Sequence, residues 1–210
     1  MIDALKKYNE CFILNHSCGQ EEKEDVFEFT DYSSALILSA PHATRSFCNK
    51  KEKCADLYTG AIVKCLGAVN KVSTLVRTKF TPYKSLISDY IAEHGLQDHY
   101  FLDVHGFNQE IDYDICLGVA HFDSESYPYL DHILQIAKKY DLKTAVNHPD
   151  YTGKIGLTGR YQKTFNKPNV IQIELKQYLR NFYQNPDVVS NVTLPFFNDV
   201  IHCYTVRLSD

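Results

Sequence analysis

The sequence predicts a three-layer αβα fold with a central mixed β-sheet, and three observations support this prediction. The chain has 210 residues, of which 44% are hydrophobic and 23% charged, as suits a globular protein with a sizeable core. Short apolar runs alternate with longer helical patterns, which is typical of a sheet with helices on both faces. Residues 26–40 resemble a β-hairpin, and such a pair would make the sheet mixed.

Seven segments have the pattern of buried strands, because their apolar runs are short and bounded by polar or turn residues. In chain order they are 26–30, 35–40, 72–76, 100–104, 114–119, 144–147 and 170–175. Four segments carry apolar residues at helical spacing instead, namely 56–69, 83–94, 127–140 and 186–206. No internal repeat or Gly/Ser linker interrupts the chain, so we expect residues 1–210 to form a single domain.

Composition narrows the classes of partner that the protein would bind. The net charge is −4 and the basic residues are dispersed, so we expect no nucleic-acid partner. No apolar run approaches the roughly 20 residues that span a bilayer, and we expect no membrane partner. The first residues lack a signal-peptide pattern, and seven cysteines show no paired spacing, so we expect a cytoplasmic protein. Composition leaves the oligomeric state open.

Two predicted strands each end at a histidine. In "LSAPHATRSF" the histidine is His42, and in "FLDVHGF" it is His105. Open α/β sheets place their functional sites at the carboxyl ends of strands, and catalytic zinc usually takes three protein ligands from His, Asp and Glu. We therefore predict a zinc site formed by both histidines and an acidic residue. Asp56 begins the helix that would return from the first loop, and Glu52 is the competing choice.

Glu174 is the candidate general base. In "NVIQIEL" an apolar strand is interrupted by Gln172 and Glu174, which alternate and so share one face. A carboxylate inside such a strand is unfavourable unless it is paired or functional. A water activated by zinc needs a base that takes its proton. The alternative is a glutamate on the solvent face of an edge strand.

Six stretches in order resemble the N-formylglutamate amidohydrolase family and cover most of the chain. They are "SAPHATRSF", "KCADLYTGAI", "LDVHG", "DICLG", "VNHPDYTG" and "IQIELKQYLR". The resemblance implies a zinc-dependent hydrolase of the phosphorylase/hydrolase-like fold that cleaves amide bonds in N-acylated amino acids. It implies His42 and His105 as metal ligands, Asp56 as the acidic position and Glu174 as the carboxylate of the "QIE" strand.

The sequence departs from that family in two respects. The chain is shorter than typical members, and the "Asn-Arg" step expected soon after "QIE" reads Lys176-Gln177 here. An arginine follows only at Arg180. These departures concern the identity of the substrate more than the type of reaction.

A substrate with a free carboxylate favours arginine, whose planar guanidinium binds it through two hydrogen bonds. The candidates are Arg45, Arg77, Arg160 and Arg180, of which Arg77 and Arg160 are favoured by their positions at a strand end and in a loop. Asn147 ends a strand, where it is either an oxyanion donor or a turn residue. The "GKIGLTGR" segment is expected to be a flexible loop over the substrate rather than the start of a helix.

Three functions follow from these residues. The first is zinc-dependent hydrolysis of a small amide that carries a carboxylate. The second is a non-catalytic domain of the same fold that binds a metal or metabolite. The third is a cysteine hydrolase that uses Cys48 or Cys116 with His42 as its base.

Overall fold

Strands and helices alternate along the chain in a computed structural model, which describes residues 1–48, 51–108, 110–121, 127 and 129–207. The helices are α1 (Ile2–Ser17), α2 (Thr59–Asn70), α3 (Ile87–Glu93), α4 (Leu130–Lys139), α5 (Leu157–Phe165), α6 (Gln177–Arg180), α7 (Pro186–Val188) and α8 (Leu194–Arg207). The strands are β1 (Phe27–Thr30), β2 (Leu36–Ala40), β3 (Ser46–Cys48), β4 (Lys51–Lys53), β5 (Ser73–Arg77), β6 (Tyr100–Phe107), β7 (Ile115–Gly118), β8 (Thr144–Val146) and β9 (Val170–Lys176). A π-helical turn, Val189–Thr193, separates α7 from α8.

Seven strands form one sheet in the order β1-β5-β2-β6-β9-β7-β8, and β3 pairs with β4 in a separate ribbon. The four strands β5, β2, β6 and β9 are mutually parallel. β1 is antiparallel to β5, and β7 is antiparallel to β9. The sheet is therefore mixed, and the carboxyl ends of β2, β6 and β9 meet at one edge.

The predicted hairpin at residues 26–40 is wrong. β5 lies between β1 and β2 and pairs with both of them, so the two segments are not neighbours in the sheet. The connection is held to β5 by side chains, since Ser73 Oγ donates to Asp31 Oδ1 at 3.2 Å. Alternation within a strand shows which face is buried but does not identify the partner strand.

Helices cover both faces of the sheet, which confirms the predicted three-layer fold. Alternate residues of β2 belong to two apolar clusters: Leu36 and Leu38 pack with α1, α2, α4 and α8, whereas Ile37 packs with α3 and α5. The four predicted helices occur in shortened or divided form, and α1, α5 and α6 are additional. None of the helices in the described residues is both long enough and apolar enough to cross a bilayer.

Arg180 is hydrogen-bonded to several segments that surround the carboxyl ends of the central strands. Its side chain is 2% exposed and donates to the carbonyls of Leu175 (3.3 Å), Leu57 (2.7 Å) and Phe107 (3.2 Å). Gly106 makes room for it, because a Cβ there would lie 2.3 Å from Arg180 Nε. Arg180 is therefore engaged by three backbone carbonyls and by Asn108 Oδ1.

We expect Arg180→Lys to lower the free energy of unfolding by about 2–4 kcal/mol, because an ammonium cannot reach three separated carbonyls and leaves buried acceptors unpaired. Urea denaturation followed by circular dichroism measures the change. Arg45→Lys, on the half-exposed Arg45, is the control and should change stability by less than about 0.5 kcal/mol. Unchanged stability of Arg180→Lys, with weaker substrate binding, would instead assign Arg180 to the substrate.

Candidate active site

Polar side chains from three neighbouring strands share one face of the sheet at its carboxyl edge. Ser39 of β2 is in register with Asp103 of β6, which is in register with Gln172 of β9. One step further along, His105 is in register with Glu174. These residues alternate with apolar residues that face the opposite layer, so the period of the strands alone collects them on one face.

His105 lies between two carboxylates. Its Nε2 is 2.8 Å from Asp103 Oδ2, and its Nδ1 is 3.2 Å from Asp56 Oδ2. Ser39 Oγ donates to the other oxygen of Asp103 at 2.6 Å. His105 and Asp103 are buried, and Asp56 is 7% exposed. Asp103 and Ser39 were not predicted as site residues, although the alternation of Asp103 and His105 in "LDVHG" is the signal that indicates a shared face.

The two carboxylates set the charge of this cluster. Burial by itself lowers the pKa of His105, but Asp103 and Asp56 outweigh it and raise that pKa to about 10. Burial would raise the pKa of Asp56, yet the hydrogen bond with His105 and the charge of Lys53 hold it well below its usual range. Without a metal, the cluster is therefore a buried imidazolium between two carboxylates.

His42 faces His105 from the turn after β2. The ring centroids are 5.2 Å apart with an interplanar angle of 57°. His42 Nδ1 is 2.9 Å from Ser46 Oγ on β3, which leaves Nε2 as the other ring nitrogen. Burial lowers the pKa of His42 well below its ordinary value, so the imidazole is neutral. The structure thus brings both predicted histidines together.

Asp56, rather than Glu52, is the acidic residue beside the histidines. Glu52 forms an ion pair with Arg45, and its side chain is 42% exposed. Asp56 contacts His105 directly. In the part of the chain that the structure describes, however, no three His, Cys, Asp or Glu side chains already have the spacing of a formed metal site.

Glu174 lies in the interior of the sheet, since β9 is flanked by β6 and β7. It is 6% exposed, and Gln172 Nε2 donates to its Oε1 at 2.8 Å. The alternative of a glutamate on the solvent face of an edge strand is therefore wrong. Burial raises the pKa of Glu174 to about 7, in the range where a carboxyl group both accepts and donates a proton near neutral pH.

A cavity of about 220 Å³ opens above these residues. Its polar lining includes His42, Lys53, His105, Gln172, Glu174 and Arg160, and its apolar lining includes Leu86, Ile87, Ile155 and Leu157. This volume suits a small molecule or the end of a longer chain. Lys53 was not selected in the sequence analysis, because a lysine in the exposed "KEK" stretch has no distinguishing pattern.

The four candidate arginines occupy different environments. Arg77 lines the cavity, but it already donates to Pro41 O (2.9 Å) and to the hydroxyl (3.0 Å) and carbonyl (2.7 Å) of Ser85. Arg160 lines the cavity, and its guanidinium forms no hydrogen bond or ion pair within the described ranges. Arg45 pairs with Glu52. Arg180 is not among the lining residues.

Asn147 follows β8, and the glycine segment leads into α5. Asn147 has a positive φ of 51°, and its Oδ1 accepts from the Val119 N–H at 3.0 Å, so it is a turn residue that does not line the cavity. The glycine segment was expected not to open a helix, yet Gly156 immediately precedes α5. Gly153, with φ of 75°, makes the turn before it. Ile155 and Arg160 reach the cavity from this helix start.

Of the two candidate nucleophilic cysteines, the structure describes the side chain of Cys116. Cys116 of β7 is fully buried and in register with Glu174 of β9. Burial, followed by the charge of Glu174, raises the pKa of the Cys116 thiol to about 11, which opposes the thiolate that a nucleophile requires. The side chain of Cys48 lies outside the described residues.

Comparisons with known proteins identify solved structures that share this fold. No protein-family model matches the sequence, and no curated protein matches it significantly. A bacteriophage poly-gamma-glutamate hydrolase matches with 14% identity over 86% of this chain and 87% of that chain, at a TM-score of 0.55. The zinc-free form of YndL matches with 12% identity over 88% and 91%, at a TM-score of 0.54.

N-formylglutamate amidohydrolase from Ralstonia eutropha JMP134 matches with 13% identity over 86% of this chain and 98% of that chain, at a TM-score of 0.56. At such low identity these likenesses establish the fold alone. The predicted fold class, αβα with a central mixed sheet, is confirmed, and the chain shares this fold with solved structures of hydrolases.

Proposed function

We propose that the protein is a zinc-dependent hydrolase that cleaves an amide bond in a small N-acyl amino acid or a related amide. The observation that carries the proposal is the imidazole of His105 between Asp56 and Asp103, with His42 facing it and Glu174 in the same cavity. The shared fold supports it, since solved structures with that fold include a poly-gamma-glutamate hydrolase and an N-formylglutamate amidohydrolase.

His42, Asp56 and His105 are the proposed zinc ligands. Two imidazoles and one carboxylate form a donor set that suits a catalytic zinc ion. Asp103 holds Nε2 of His105 and directs Nδ1 toward Asp56, as carboxylates commonly orient zinc-binding histidines. Ser46 engages Nδ1 of His42 and leaves its Nε2 for the metal. The His105–Asp56 hydrogen bond would be lost on metal binding, which would release its proton.

Glu174 is the proposed general base. Zinc would supply a Lewis acid for the amide carbonyl and acidify a nearby water. Glu174 would take a proton from the attacking water and return it to the amine nitrogen as the C–N bond breaks. Its raised pKa of about 7 suits both transfers, and the hydrogen bond from Gln172 fixes the carboxylate in orientation.

Arg160 is the proposed anchor for a carboxylate on the substrate. It lines the cavity, and no described partner occupies its guanidinium. Arg77 also lines the cavity, but it donates hydrogen bonds to the carbonyls of Pro41 and Ser85 and so stabilises the cavity wall. The cavity volume of about 220 Å³ favours a small-molecule substrate.

Glu174→Gln should retain zinc while kcat falls by at least about a hundredfold, because the amide keeps the shape but cannot accept the proton. Turnover is measured on N-formyl, N-acetyl and peptide amides of amino acids, and bound zinc by elemental analysis. Glu10→Gln, at an exposed position on α1, is the matched control and should behave as the unsubstituted protein.

His105→Ala gives the contrasting result for the same assay, since loss of a ligand should remove the zinc itself. Loss of zinc from Glu174→Gln would make Glu174 a ligand. Near-normal turnover of that variant would contradict the proposed base. A zinc-loaded protein without turnover on any of these amides would favour the non-catalytic binding domain.

Arg160→Lys should raise KM for a carboxylate-bearing substrate about tenfold and change kcat little, because lysine loses the two-point contact. Steady-state kinetics with the free acid and with its neutral methyl ester provide the test, since the ester should not respond to the substitution. An equal effect on the acid and the ester would show that Arg160 does not bind the substrate carboxylate.

A further inference from the structure

Lys53 contacts the same carboxylate oxygen of Asp56 that His105 contacts. It ends β4, lines the cavity, and places Nζ 3.4 Å from Asp56 Oδ2. That oxygen is also 3.2 Å from His105 Nδ1. The Lys53 side chain is 41% exposed, whereas the Asp56 side chain is 8% exposed. A half-exposed cation from the β3–β4 ribbon thus contacts the buried carboxylate.

Asp56 Oδ2 already has two polar neighbours. His105 Nδ1 lies 3.2 Å from it and Lys53 Nζ lies 3.4 Å from it, while the other ring nitrogen of His105 is held by Asp103. A divalent cation bound by Asp56 would therefore place a second positive charge beside Lys53.

We propose that Lys53 is an internal counter-ion that competes with the metal for Asp56 and is driven off that carboxylate, into the cavity, when the metal binds. This inference rests on the proposed function for the identity of the metal site. Two cations cannot share one carboxylate without mutual repulsion, and the half-exposed lysine is the one that can move. Lys53 therefore weakens metal binding and adds a positive charge to the cavity of the loaded protein.

The β3–β4 ribbon carries side chains that contact two of the proposed metal ligands. Ser46 and Lys53 are paired in register across it. Ser46 contacts His42, and Lys53 contacts Asp56, so one ribbon contacts two of the three proposed ligands. Displacement of Lys53 is thereby confined to a surface element, and the buried strands need not move.

Zinc affinity, measured by competition with a chromophoric chelator at low salt, tests the inference in the full-length chain. Lys53→Met should bind zinc about three- to tenfold more tightly, because the competing charge is gone while the methylenes remain. Lys53→Arg should bind as the unsubstituted protein does. Lys51→Met is the matched control: Lys51 lies on the same strand, is exposed and has no contact with Asp56. It should leave the affinity unchanged.

Equal zinc affinity for Lys53→Met and the unsubstituted protein would overturn the inference, as would an equal gain in Lys51→Met. Weaker binding by Lys53→Met would also overturn it and make Lys53 a support for Asp56. The measurement does not depend on turnover. A protein that binds zinc but cleaves no amide would contradict the proposed function and leave the Lys53 result standing, whereas a protein that binds no zinc would overturn both.

Discussion

The contact of His105 with two buried carboxylates is the interaction on which the rest of the site depends. Burying Asp103 and Asp56 without partners would be strongly unfavourable, and the imidazole between them is what makes their burial possible. The polar chain begins at Ser39 inside the sheet and reaches the surface at Lys53. Removing its central ring would leave Asp103 with Ser39 as its hydrogen-bond partner and Asp56 with Lys53.

The parallel strands explain how residues far apart in sequence come together. β2, β6 and β9 end at one edge, and their polar positions fall on the face covered by α3 and α5. His42 and Lys53 come from the loop and ribbon that follow β2, and Arg160 comes from the start of α5. The strands fix the positions of His105 and Glu174 firmly, whereas the cations sit on elements at the rim.

Much of the site could be predicted from the sequence, because strand periodicity and strand ends carry the signal. Two histidines after predicted strands and the alternation of Gln172 and Glu174 place three of the key side chains without knowledge of the partners. The predicted strand end at His105 is wrong, because β6 continues to Phe107. The sequence could not decide between Asp56 and Glu52 as the acidic residue, because both follow His42 within a short stretch of chain. The structure decides it, since Asp56 contacts His105 and Glu52 pairs with Arg45. The register of the β3–β4 ribbon, which turns Glu52 toward Arg45, depends on tertiary contacts.

Other features could not be predicted for identifiable reasons. The position of β5 between β1 and β2 depends on long-range pairing, which local alternation does not encode. Arg180 follows the "QIE" strand as a substrate arginine would, but its direction is set by the space beside Gly106. Lys53 belongs to an exposed charged stretch, and only its distance to Asp56 distinguishes it from any solvated lysine.

X-ray absorption at the zinc edge, on protein purified with zinc and freed of excess metal, measures the ligands of the proposed metal site. We expect one zinc per chain with two imidazole nitrogens at about 2.0–2.1 Å, and with oxygen ligands completing the coordination. Protein that retains no stoichiometric zinc would contradict the account, and so would a sulfur neighbour at about 2.3 Å, which would place the metal on cysteine instead.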